Sequence, residues 1–196
     1  RPLALALSVL RDGQRARTVE ASLLHEGTTL ARCTALFLRA DPGSVPPSEA
    51  PAAPAAGPEA GRPIPEHVRA WSPFFTGVDT RVIEGELQQP GPAAVWLSLR
   101  RPLVAGEENS PLVQAVSAAD LASGISAVVD LRAWSFINAD LTMTLWRRPE
   151  GSWILVRAET NPGDLGRGSA LGALSDLWGP FGSCALNLIF ERAARG

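Results

Sequence analysis

A chain of 196 residues that is 45% hydrophobic and 19% charged carries enough apolar side chain for a packed core, which excludes global disorder. Its formal net charge is −2 and all 18 basic residues are arginine, with no lysine stripe or basic cluster to mark a nucleic-acid partner. Two cysteines, Cys33 and Cys184, are too few for a secreted disulfide framework, so a reducing cytoplasm and buried, inert thiols are expected.

The chain opens at Arg1 inside a strand-like run, from which we expect an N-terminal portion to precede it. Leu3, Leu5, Leu7 and Val9 alternate with smaller residues, and Asp12-Gly13 supplies a turn. Residues 17–24 form a second predicted strand, Glu26-Gly27 a second turn, and residues 30–39 a third strand. Three antiparallel strands have one face to bury and need a helix or a second sheet to bury it. Residues 41–65 then interrupt the pattern with Asp-Pro-Gly, Pro-Pro and an Ala/Pro run, and read as an extended linker.

Strands are predicted at 78–87 and 93–99, separated by Gln89-Pro90-Gly91-Pro92. The strongest helix spans Pro111 to Val129, with Ser110 as N-cap and Pro111 in the first position. Strands follow at 141–146, 153–160, 169–176 and 183–191. No apolar run approaches the roughly 20 residues of a membrane span, and no signal-peptide pattern opens the chain. Arg11-Asp12-Gly13 before Val19-Glu20-Ala21 is similar to Pro149-Glu150-Gly151 before Val156-Arg157-Ala158, and the run from Arg32 to Leu36 is similar to that from Ser183 to Leu186. The preserved order predicts an internal duplication whose first copy lacks its opening strand and helix.

On a wheel of 100° per residue, Leu112, Val113, Val116, Ala119, Leu121, Ile125 and Val128 cover more than half the helix. The remaining arc holds Ala115, Ala118 and Ala122, with Gln114 at its edge. Such a helix is expected to lie buried and wrapped by a sheet. Asp120, its only charged residue, falls between Val116 and Val113, where a carboxylate is costly unless hydrogen-bonded or functional. Both a structural carboxylate and a general base remain open. Alternation places Thr142 on one face with Thr144 and Trp146, opposite Leu141, Met143 and Leu145. Asn187 is the one strongly polar side chain in the last strand and needs partners if buried.

The run from Val116 to Gly124, then Phe136-Ile137-Asn138-Ala139-Asp140-Leu141-Thr142, then the strand-rich C-terminus, resembles the TesB-like acyl-CoA thioesterases (thioesterase II) over most of residues 71–192. Residues 3–40 more faintly resemble the closing strands of a first repeat. The resemblance implies an α+β double hot-dog fold, an antiparallel sheet wrapped around a central helix, with the first repeat lacking its N-terminal strand and helix. Its parts would be residues 1–40 as the end of the first unit, 41–70 as the linker and 71–196 as the second unit. It implies hydrolysis of an acyl-CoA or other acyl thioester by a helix Asp, a Thr or Ser and a strand Gln that hold the attacking water, with no cofactor and no metal. By position these fall on Asp120, Thr142 and Asn187, the last shifting to Leu186 if the alignment slips by one. Asn could orient water and Leu could not. Assembly into homo-oligomers through sheet edges is implied by the resemblance alone.

Two other enzyme classes find less support. A hot-dog dehydratase or hydratase pairs Asp with His, and His25 and His67 both lie outside the second unit. A nucleophilic hydrolase finds no G-x-S-x-G elbow, and a metal site finds no His, Cys and acid cluster. A non-catalytic acyl-binding protein remains the principal alternative.

Overall fold

The computed structural model describes residues 2–41, 52–70, 73–87, 89–130 and 133–193. The chain divides into two compact units, Arg1–Glu49 and Ala50–Gly196. The first is a three-stranded meander, β1 (Ala4–Asp12), β2 (Ala16–His25) and β3 (Thr28–Leu38), paired antiparallel in that order. Glu26 and Gly27 both take positive φ, 49° and 78°, which is the two-residue hairpin turn that the Glu-Gly pair announces. Register places Leu5, Leu7 and Val9 beside Leu23, Ala21 and Val19, and these beside Ala31, Cys33 and Ala35. One face of the meander is therefore apolar and the other carries Ser8, Glu20 and Thr34.

The second unit holds the large sheet. Its helices are α1 (Glu66–Arg69), α2 (Pro111–Ala119) and α3 (Ala122–Ile125). Its strands are β4 (Val78–Glu84), β5 (Ala93–Leu99), β6 (Trp134–Asn138), β7 (Thr142–Leu145), β8 (Ile154–Pro162), β9 (Arg167–Asp176) and β10 (Gly179–Arg192). The order is β4-β5-β8-β9-β10-β6, and β7 shares the edge of β10 with β6. All its pairings are antiparallel. The meander β8-β9-β10 repeats the hairpin-by-hairpin connectivity of β1-β2-β3.

Residues 58–69 correct the extended linker: they form a 3₁₀ turn at Pro58–Ala60 and helix α1, and Ile64 and Val68 are buried in the core. A buried Ile or Val contributes about 1.5–3 kcal/mol, enough to hold a short polar-flanked segment onto the sheet. Residues 42–51 of that tract lie outside the described residues. On the outer face of β5 and β8, Ala94, Trp96 and Leu155 form a small second cluster, and Trp96 Nε1 donates to the Ala56 carbonyl at 3.1 Å.

Helix α2 begins as expected, with Ser110 Oγ accepting from the Val113 N–H at 3.3 Å and Pro111 in the first turn. Its burial and its end both differ from expectation. Ala115, Ala118, Ala119 and Ala122 are each 0% exposed, whereas Leu112 and Val116 are each 44% exposed. The helix thus lies on the sheet by its small-residue stripe and is not wrapped all round, because small side chains permit the closest approach of helix to strand. The sheet answers with Gly172 in β9: a Cβ there would meet Cys184 Sγ at 2.6 Å and Ala122 Cβ at 3.5 Å. The helix stops at Ala119 and restarts at Ala122, with Leu121 N–H closing a tighter bond to the Ala118 carbonyl.

A buried ion pair pins the far end of the sheet. Asp176, 0% exposed, accepts from both terminal nitrogens of Arg147 at 2.6 and 2.7 Å and from the Glu150 and Trp178 N–H groups, each at 2.9 Å. Arg147 also donates to the Gly179 carbonyl, so one pair joins the β7–β8 connection to the β9–β10 turn. Burial alone would raise the Asp176 carboxyl, but Arg147 and the two N–H groups hold it below its ordinary value. Asp176→Ala should lower the unfolding free energy by about 3–5 kcal/mol in urea titration, since it strands a guanidinium. Because the folded carboxyl is depressed, the stabilisation is complete above the unfolded pKa of about 3.9 and is lost as pH falls through the folded value. Wild-type stability should therefore fall more steeply in acid than that of Asp176→Asn. Gly172→Ala should cost about 1–3 kcal/mol by overpacking, with part recovered in the Gly172→Ala/Cys184→Ala double variant.

Candidate functional site

Strand β10 sorts the side chains. Cys184, Leu186 and Leu188 are buried on the α2 side, while Ser183, Asn187 and Ile189 are exposed on the other. Directly opposite residues in an antiparallel pair share a face. Thr142 pairs with Ala185 and Thr144 with Ser183, so both project away from α2, whereas Asn138 pairs with Leu188 and projects toward it.

Asp120 caps the C-terminal end of α2 and is exposed. The apolar arc in which the sequence places it is the half-exposed side of the helix, which removes the cost of burying its charge. Asn138 Nδ2 donates to the Asp120 carbonyl at 3.1 Å and to its carboxylate Oδ1 at 3.2 Å. Ser123 Oγ, on a residue 2% exposed, donates to Asn138 Oδ1 at 2.7 Å. Two further contacts hold the helix end against the sheet. Cys184 Sγ lies 3.9 Å from the Ala119 carbonyl, and Ser126 Oγ donates to the Ala122 carbonyl at 2.8 Å while pairing with Thr160 Oγ1 at 2.8 Å. Desolvation pushes the Cys184 thiol up to about 11, so it is inert as expected; Cys33, by contrast, is exposed on β3.

The structure does not bring Asp120, Thr142 and Asn187 together. Asn187 donates its backbone N–H and its Nδ2 to the two carboxylate oxygens of Asp140, at 2.9 and 2.8 Å. These two bonds hold the Asp140 carboxyl below its usual range and fix the bend between β6 and β7. Of the two β10 positions that the resemblance offers, Leu186, 1% exposed, is the one that faces the helix. Thr142 instead borders an open trough of about 620 Å³ on the outer sheet face, shared with Thr144, Trp146, Arg157, Leu171 and Ser183. Sequence reasoning passed over Asn138 and Ser123 as site residues. The alternation of Trp134, Phe136 and Asn138 against Ser135 and Ile137 was the available signal, since it sets the amide on the half-buried parity.

An antiparallel sheet carrying a helix on one face, with this connectivity, is the hot-dog fold. Solved structures agree. The conserved hot-dog protein of unknown function from Alicyclobacillus acidocaldarius superposes with a TM-score of 0.72 at 12% identity, covering 98% of this chain and 74% of its own. The acyl-CoA thioesterase II TesB2 of Mycobacterium marinum gives 0.65 at 17%, covering 97% and 74%. The tesB protein of Mycobacterium avium subspecies paratuberculosis gives 0.63 at 15%, covering 97% and 72%. A search of curated proteins finds no match. Residues 42–186 match the family described as the acyl-CoA thioesterase C-terminal domain, and the chain belongs to that family. Among the described residues no helix is long and apolar enough to cross a membrane.

If Asn187 serves Asp140 and not Asp120, Asn187→Ala should lower the thermal midpoint yet leave the Asn138 side-chain amide resonances where they stand in the wild type. A displaced Asn138 signal would show that the two amides share a site after all.

Proposed function

We propose that the chain hydrolyses an acyl-CoA thioester with Asp120 as general base. The observation that carries this reading is the Asp120 carboxylate itself, exposed at the end of a helix packed by small residues and held through one oxygen by Asn138, in a member of the acyl-CoA thioesterase family. Asp120 would take a proton from water as its oxygen attacks the thioester carbonyl. The tetrahedral adduct would then collapse, expelling CoA sulfur, which recovers the proton from Asp120 and leaves the free acid. Thr142 and Asn187 face away and take no part in this scheme, and Leu186 offers no hydrogen bond to water.

That same Leu186 favours a second reading, a non-catalytic protein that binds acyl thioesters without cleaving them. The two readings separate in one assay. CoA release from a panel of short- to long-chain acyl-CoAs, followed with a thiol reagent, should be seen for the wild type. It should fall by about 10²–10⁴-fold in Asp120→Asn, with the circular dichroism spectrum unchanged. Binding without release at every chain length would replace hydrolysis with the second reading.

A further inference from the structure

We infer that Asn138 and Ser123 are positioning residues that set the direction of the Asp120 carboxylate; this rests on the reading of Asp120 as the general base. The torsion that spins a carboxylate about its Cβ–Cγ bond is broad and nearly twofold, so an exposed Asp at a helix end has no orientation of its own. Here one amide group supplies it. Asn138 Nδ2 bridges the main-chain carbonyl and the carboxylate Oδ1 of the same residue, at 3.1 and 3.2 Å. The carbonyl is an orphan of the interrupted helix, so the bond that closes the helix end is also the one that aims the side chain.

An Asn amide can face either way, and only one way works here. Turned over, Asn138 would set its own oxygen against two acceptors on Asp120. The two Asp120 acceptors select the working orientation, and the Ser123 hydroxyl braces it by donating to Asn138 Oδ1 at 2.7 Å from a position 2% exposed. Ser123 lies in α3, just past the helix break, and Asn138 lies at the end of β6 beside Leu188. One amide from β6, braced from α3, therefore engages one oxygen of Asp120 and leaves the other to meet water. On the helix-facing side β10 contributes only Cys184, Leu186 and Leu188 along this stretch, so the orienting amide comes from β6.

The test measures kcat, KM and the pH–rate profile of the full chain for wild type, Asp120→Asn, Ser123→Ala, Ser123→Thr and Asn138→Asp. Ser123→Ala should lose about tenfold in kcat with KM unchanged, as a misdirected catalytic group does, and Ser123→Thr, which keeps the hydroxyl, should recover most of it. Asn138→Asp puts a second carboxylate beside Asp120, so the acid limb of the profile should move to higher pH. That shift also serves if Ser123→Ala proves too unstable to assay. Release that vanishes in Asp120→Asn, with Ser123→Ala at the wild-type rate and Asn138→Asp showing an unshifted acid limb, overturns the positioning roles while the base stands. Absence of release by the wild type overturns both.

Discussion

The contact between a stripe of alanines and a patch of small residues in the sheet governs the second unit. Ala115, Ala118, Ala119 and Ala122 are fully buried, and beneath them lie Ala158, Ala170 and Gly172. Each gives up little apolar area alone, yet together they let the helix sit close enough for Cys184 in β10 to reach a helix carbonyl. Close approach fixes where the helix ends, and the helix end is Asp120. A larger residue at Gly172 or Ala119 would lift that carboxylate away from Asn138, so packing and chemistry meet in the same few atoms.

Strand β10 applies the second constraint. Its strict alternation makes Leu186 and Asn187, one residue apart, belong to different environments. Leu186 joins the core under α2, whereas Asn187 closes a two-bond clamp with Asp140 at the surface. At the opposite end the Arg147–Asp176 pair locks the turn from which β10 departs, so the register that sorts these residues is set by a buried, multiply hydrogen-bonded charge. Acidic residues at three points, Asp120, Asp140 and Asp176, thus perform three unlike tasks that follow from exposure and partners, not from residue type.

Much of the architecture was legible in the sequence. The meander of the first unit, the strand at Ala93–Leu99, the Ser110-Pro111 helix start and the hot-dog resemblance all correspond to what is observed. What escaped was tertiary. Helical periodicity continues smoothly to Val129, but the Asp120 carbonyl is taken by a side chain from a distant strand, and no local pattern reports that. The wheel led to burial on every side because it weighs hydrophobicity and not distance of approach, whereas only the alanine arc is fully buried. Thr142 and Asn187 fall on the outer face by a parity that a one-residue shift reverses, and Leu186, the alternative to Asn187, lies on the α2 side. The strand at Trp134–Asn138 went unassigned although its alternation is regular, and with it the residue that touches Asp120.

Hydrolysis with Asp120 as general base requires substrate to meet the α2 side of the sheet, beside Asp120 and Asn138. Titrating the isotopically labelled chain with an S-alkyl-CoA, a thioether that cannot be hydrolysed, and following amide and side-chain resonances measures this directly. Shifts should centre on Ser123, the Asn138 amide and the Asp120 carboxylate, with Thr142, Thr144 and Asn187 unmoved. Shifts centred on Thr142, Thr144 and Trp146, across the outer trough, would contradict it.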